Sequence, residues 1–114
     1  MNKSGFKLID NSSLSSNFEG NEIDVSEADY GSIHIEWSGV SPVGEIIVEA
    51  KSGEDDTYSQ VDMGGPVTIT GTSGDHQLIF NSLPFTKLKL RYSRTSGSGN
   101  LTAIIVTKRD GGIA

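Results

Sequence analysis

At 114 residues and without cysteine, the chain has the size of one domain and holds no disulfide framework, thiolate metal site or cysteine nucleophile. Fifteen acidic against nine basic residues give a formal charge of -6, a balance that repels phosphate backbones and sets nucleic acid aside as a partner. No apolar run is long enough to span a bilayer, and the start of the chain lacks the apolar stretch of a secretory signal, so no membrane partner and assembly in a cytoplasm are expected.

Glycine, serine, threonine, asparagine and aspartate recur in short clusters, and between them apolar residues alternate with period two, the spacing of strands. Residues 6–10 read as a first strand, residues 11–17 as a polar loop and residues 22–25 as a weak second strand. Residues 30–37 form the first strong one: Ile33, Ile35 and Trp37 share one face, and Ser32, His34 and Glu36 the other. Residues 38–44, with Gly39, Pro42 and Gly44, read as a turn, and residues 45–50 return with Ile46, Val48 and Ala50 on one face. An acidic loop covers residues 51–56, residues 58–63 read as an irregular edge, and Gly64, Gly65 and Pro66 break the chain.

Short strands are expected over residues 67–70 and 77–80, with a turn over 71–75 between them, and Leu83, Pro84 and Phe85 read as a bend. Residues 86–92 carry the longest clear alternation, placing Leu88, Leu90 and Tyr92 inward and Lys87, Lys89 and Arg91 outward. Residues 95–100 read as a hairpin loop, with Gly97 and Gly99 at its tip, and residues 101–108 as the closing strand. That strand is apolar on both faces, with Leu101, Ala103 and Ile105 on one and Ile104 and Val106 on the other, so both faces need covering. The pattern predicts an all-β, antiparallel β-sandwich of the jelly-roll kind with seven or eight strands and little or no helix. Residues 1–21 are expected as a partly extended N-terminal arm and residues 22–114 as the sandwich domain.

Candidate chemistry is sparse. His34 and Glu36 point to one face of a strand and could hold a metal or run acid–base chemistry, but a solvated polar face explains the pair without a third ligand. His76 stands far from both in sequence. No serine sits in a nucleophile elbow, and Ser98 between Gly97 and Gly99 fits a hairpin tip, so no catalytic residue and no enzyme activity are expected. Glu54, Asp55, Asp56 and Asp62 are weak calcium candidates, since their spacing is not that of an EF-hand and a solvated acidic loop accounts for them. No cofactor is expected. Tyr58, in a polar stretch, is the aromatic to inspect for stacking against a ligand, whereas Trp37 belongs with the core. Ile104 and Val106, together with the basic stripe Lys87, Lys89 and Arg91, are candidates for an oligomer interface. The stripe is better explained by glutamates on an adjacent strand, a reading compatible with an interface.

Two stretches carry a resemblance. Residues 33–50, with Trp37, Gly39, Pro42 and Gly44 between two strands, and residues 88–101, with Tyr92, Arg94, Thr95, Ser96, Gly97, Gly99 and Leu101, resemble small phage virion-associated β-sandwich proteins of jelly-roll or discoidin-like type. The resemblance covers about a third of the chain and rests mostly on turn residues, which speak to fold and lineage more than to activity. In the middle the chain departs from it, with Tyr58 where such proteins commonly have a tryptophan. The resemblance implies a virion structural protein without enzyme activity: a capsid decoration, head-fibre or tail-associated subunit. Such a subunit would form a homo-oligomer, in the first place a trimer, and dock on other virion proteins. The competing expectation is a carbohydrate-binding module or host-surface adhesion domain, with a host glycan as partner.

Overall fold

The computed structural model describes residues 2–52, 57–61, 66–80, 83 and 85–109. Its strands are β1 (Asn2–Ser13), β2 (Phe18–Glu19), β3 (Ile23–Asp24), β4 (Tyr30–Lys51), β5 (Ser59–Gln60), β6 (Val67–Ile69), β7 (Ser73–Phe80) and β8 (Lys87–Arg109). The protein is an all-β, antiparallel β-sandwich, and all eight strands belong to one continuous sheet folded over its own core.

The sandwich is built on a single long ribbon. β4 and β8 pair antiparallel from Tyr30 opposite Lys108 to Lys51 opposite Lys87. At 3.3 Å per residue, a flat strand of this length would run about 70 Å. The longest axis of the molecule is 49 Å, so the ribbon has to bend. The bend falls where both strands carry Gly and Ser, with Pro42 on β4. In the first half, β1 lies outside β8 and β7 outside β4; in the second, β2 and β3 pair with β8 while β5 and β6 pair with β4.

Residues 38–44 and 95–100 are therefore not the two turns that their composition predicts. They face each other within the ribbon, with Ser38 opposite Asn100 and Val40 opposite Ser98. β4 spends one extra residue between Val40 and Val43, and β8 spends one between Ser96 and Arg94, so the register is the same on either side of the bend. Each insertion also shifts the in–out phase of its strand. Buried positions on β4 are Ile33, Ile35 and Trp37 before the bend and Ile46, Val48 and Ala50 after it, an odd series becoming an even one. β8 makes the same switch, from Leu88, Leu90 and Tyr92 to Leu101, Ala103 and Ile105.

Backbone shape at the bend follows from its residues. Gly39, Gly97 and Gly99 adopt φ of 154°, 78° and 157°, and Ser41 adopts 47°, values that side chains beyond glycine rarely accept. The inner faces of both halves then form one core, to which Leu8, Ile9 and Leu14 also belong. Residues 2–13, read from sequence as part of an arm, are extended and lie on the chain's own β8, from Asn2 opposite Arg109 to Ser13 opposite Asn100. Trp37 is a core residue, its Nε1 donating to the Thr70 carbonyl oxygen at 3.1 Å. Tyr92 is fully buried with its ring 5.3 Å from that of Phe18, and burial pushes its hydroxyl pKa up.

Candidate functional site on the outer sheet face

Residues directly opposite each other in an antiparallel pair point to the same side. Alternation thus assigns Ser32, His34, Glu36, Ile104 and Val106 to the outer face of the first half, since their neighbours Ile33, Ile35 and Ile105 are buried. Across the sheet, Val106 lies opposite Ser32 and Ser32 opposite Ile79, while Ile104 lies opposite His34 and His34 opposite Gln77. Ile79 is 66% exposed and Ile104 37%, with Val106 half-buried beside them. Three aliphatic side chains from β7 and β8 therefore share a solvent-facing strip, separated by Ser32 and His34. Ile104 and Val106 stand out in the sequence because their strand is apolar on both faces. Ile79 does not, because it is a single apolar residue between polar ones on its face of a short strand.

His34 Nε2 lies 2.8 Å from Glu36 Oε1, and both side chains are substantially exposed. Among the described residues no group of three or more His, Asp or Glu side chains could hold a metal ion. His76 is exposed on β7, opposite Ile35 in the register and on the far side of the β4 backbone pairing from His34. The calcium candidates Glu54, Asp55, Asp56 and Asp62 lie outside the described residues.

The basic stripe sits on the second half of β8, and acidic residues of the same chain answer it. Lys87 Nζ lies 3.6 Å from Glu22, Lys89 pairs with Glu19, and Arg91 Nε lies 3.4 Å from Glu49. β2 and β3, each only two residues long, and the chain between them put Glu19 and Glu22 alongside β8. Lys89 holds the Glu19 carboxyl below the usual carboxylate range. Asp24 is held down as well, by bonds from the Ser26 hydroxyl and backbone N–H.

Tyr58 closes this cluster. Its hydroxyl donates to Glu22 Oε2 at 2.5 Å, and its ring lies 4.4 Å from Lys89 Nζ and 5.5 Å from Lys51 Nζ. Burial, then the bond to the Glu22 carboxylate, pushes the phenol pKa up, and the same bond draws that of Glu22 down. Two cations thus occupy the neighbourhood of the ring that a ligand would stack on. The electrostatics of this half are settled within the chain, whereas the apolar strip of the other half is not covered by any described part of it.

No protein-family model matches the chain, and no curated protein does. Solved structures do match. The crystal structure of the SPBc2 prophage-derived protein YomS is similar with a TM-score of 0.61 and 19% sequence identity, covering 92% of this chain and 93% of that one. A chain in the structure of infectious bursal disease virus, Gx strain, is similar with a TM-score of 0.58 and 15% identity, covering 98% of this chain. The match spans a third (33%) of that viral chain. At these identities the likeness is one of fold.

Proposed function

We propose that this chain is a non-enzymatic structural subunit of a virus particle, of the phage kind, which works by self-association and docking. The observation that carries the reading is the exposed strip of Ile79, Ile104 and Val106 on a sheet whose opposite face already covers the core. A monomer gains nothing from three aliphatic side chains in water, whereas burying them between subunits is favourable at about 25 cal/mol per Å². The likeness in fold to a prophage-derived protein and to part of a viral chain supports the same reading. In finer terms the chain is a capsid decoration, head-fibre or tail-associated subunit, located in the virion and gathered as a homotrimer.

The reading needs no catalysis, since the exposed His34 and Glu36 are bonded to each other on a solvated face. A glycan site built on Tyr58 draws less support, because that ring and hydroxyl are engaged by Lys89 and Glu22. Light scattering at two salt concentrations is the test. With Lys87, Lys89 and Arg91 already paired inside the chain, association through the apolar strip should yield a closed oligomer that salt does not dissolve. Ile79→Lys and Ile104→Lys should return it to a monomer of unchanged fold. A wild-type monomer at both salt concentrations would overturn the self-association.

A further inference from the structure

The two halves of the outer surface differ in how their polar groups are used. Around β2 and β3 the charged side chains are matched within the chain, as described above. The first half carries an open cleft of about 510 Å³ beside the bend, lined by Asn11, Glu36, Ser38, Ser73, Asp75, Asn100 and Thr102 together with Trp37 and Gly74. The register explains why these residues meet. Thr102 lies opposite Glu36 and Glu36 opposite Asp75; one step nearer the bend, Asn100 lies opposite Ser38 and Ser38 opposite Ser73. Two adjacent rows of polar side chains therefore run across β8, β4 and β7 on one face.

β1 completes the wall through an irregularity. Its register slips between Ile9 and Ser12, and Asn11 in that gap adopts φ of 50° with its backbone N–H donating to Thr102 Oγ1 at 3.0 Å. Such bulges commonly re-aim a side chain, and here the re-aimed side chain belongs to the cleft. Gly74, opposite Trp37 in the register, has no room for a side chain, because a Cβ there would collide with the Trp37 ring on the inner face.

The chemistry of the lining is selective. Among the described residues, the side chains of Ser38, Ser73, Asp75 and Asn100 make no hydrogen bond or ion pair, and all four are exposed. Glu36 and Asp75 are like charges directly opposed across two strands, an arrangement that costs stability unless a donor is shared between them. No lysine or arginine lines the cleft, so nothing there would hold a phosphate or sulfate. Carboxylates only accept hydrogen bonds, while serine and threonine hydroxyls and the asparagine amide both donate and accept. A ligand matching this set presents many hydroxyls at short spacing and carries no negative charge.

From this juxtaposition, we infer that the outer cleft between β1 and β7 is a binding site for a neutral saccharide. Sugar hydroxyls would donate to Glu36 and Asp75 and exchange bonds with Ser38, Ser73 and Asn100. The site is built from residues other than those of the apolar strip, but its Glu36 row lies next to the Ile104 row on the same face. The titration is therefore made on the Ile79→Lys, Ile104→Lys monomer as well as on the wild type, and loss of binding in the wild type alone would mean that the oligomer covers the cleft.

The test is a printed array of neutral and sialylated oligosaccharides, followed by titration of the best-bound neutral glycan into isotope-labelled protein. Neutral glycans should bind in preference to sialylated ones, with amide shifts concentrated at residues 36, 38, 73, 75, 100 and 102. Asp75→Ala and Asn100→Ala, both at exposed positions, should weaken binding by about tenfold each. Thermal midpoints no lower than that of the wild type would show that the fold is intact, and Tyr58→Phe should leave binding unaltered. The inference is overturned if no neutral glycan binds either protein up to about 10 mM. It is equally overturned if the shifts map elsewhere, or if Asp75→Ala and Asn100→Ala bind as the wild type does. Shifts in the cleft that grow with protein concentration alone would assign it to a second copy of the chain and overturn it too.

Discussion

Gly39 and Gly99 face each other across the β4–β8 ribbon so closely that a Cβ on Gly39 would collide with the Cα of Gly99 and with the Ser98 carbonyl oxygen. Both adopt positive φ, 154° and 157°, and a Cβ on Gly99 would in turn meet the Ser38 carbonyl. The bend therefore depends on two glycines meeting at one register position, where neither backbone can yield to a side chain.

Alanine at either position should destabilise the fold by about 2–4 kcal/mol, combining an unfavourable φ with a backbone clash. The double variant should cost less than the sum of the singles, because the two residues share one contact. Urea unfolding of the three variants measures this. Additive, sub-kilocalorie losses would mean that the ribbon does not close at this point.

The Tyr58–Glu22 bond ties stability to pH at both ends of the scale. Glu22, held below its ordinary pKa first by the Tyr58 hydroxyl, contributes stability that is complete above about pH 4.3 and is lost as pH falls through its folded value. Tyr58, pushed up by burial and then by Glu22, contributes stability that is complete below about pH 10 and is lost as pH rises through its folded value. Tyr58→Phe should therefore move the Glu22 titration upward toward an ordinary carboxylate, as read by NMR. The same variant should flatten the alkaline limb of the stability profile. An unmoved Glu22 titration would show that the hydroxyl does not hold the carboxylate in solution.

Ile104 and Ile105 are chain neighbours with opposite surroundings, one 37% exposed on the outer face and the other fully buried. Ile105→Ala should cost about 2–5 kcal/mol, as core truncations do. Ile104→Ala should cost about 1 kcal/mol or less in the monomer, as surface changes do. Chemical denaturation of the two variants, compared at low protein concentration, checks the assignment of faces. Equal costs would contradict it.

Much of this was legible without the fold. The alternation of Ile33, Ile35 and Trp37, of Ile46, Val48 and Ala50, and of Leu88, Leu90 and Tyr92 puts each residue on the face where it is found. The partners of the basic stripe were foreseeable in kind, as glutamates on neighbouring strands, but Glu19 and Glu22 could not be named. β2 and β3 are two residues each, too short to leave a periodic trace. Ile79 and Asn100 carried no signal of their own. One is a lone apolar residue on its face of a short strand, and the other lies in a stretch whose composition reads as a loop.

Residues 73–75, read as part of a turn, belong to β7, and a larger misreading is instructive. Residues 38–44 and 95–100 have turn composition, and the phase of burial does change across each. A turn and a bulge make the same local demand, namely a residue that tolerates positive φ and a break in alternation. Only the partner strand distinguishes them. Because the two segments pair with each other and carry an insertion at the same place in the ribbon, each continues its own strand instead of reversing it.

The sequence by itself determined the class of fold and the inward face of four strand segments, because a strand's period of two is a property of its own backbone. Tertiary structure alone decided that two apparent hairpins are one bent ribbon, and which polar residues from four strands converge beside the bend. Those relations are set by register between segments up to about ninety residues apart, as where the Asn11 backbone meets Thr102, and local chemistry does not encode such a distance.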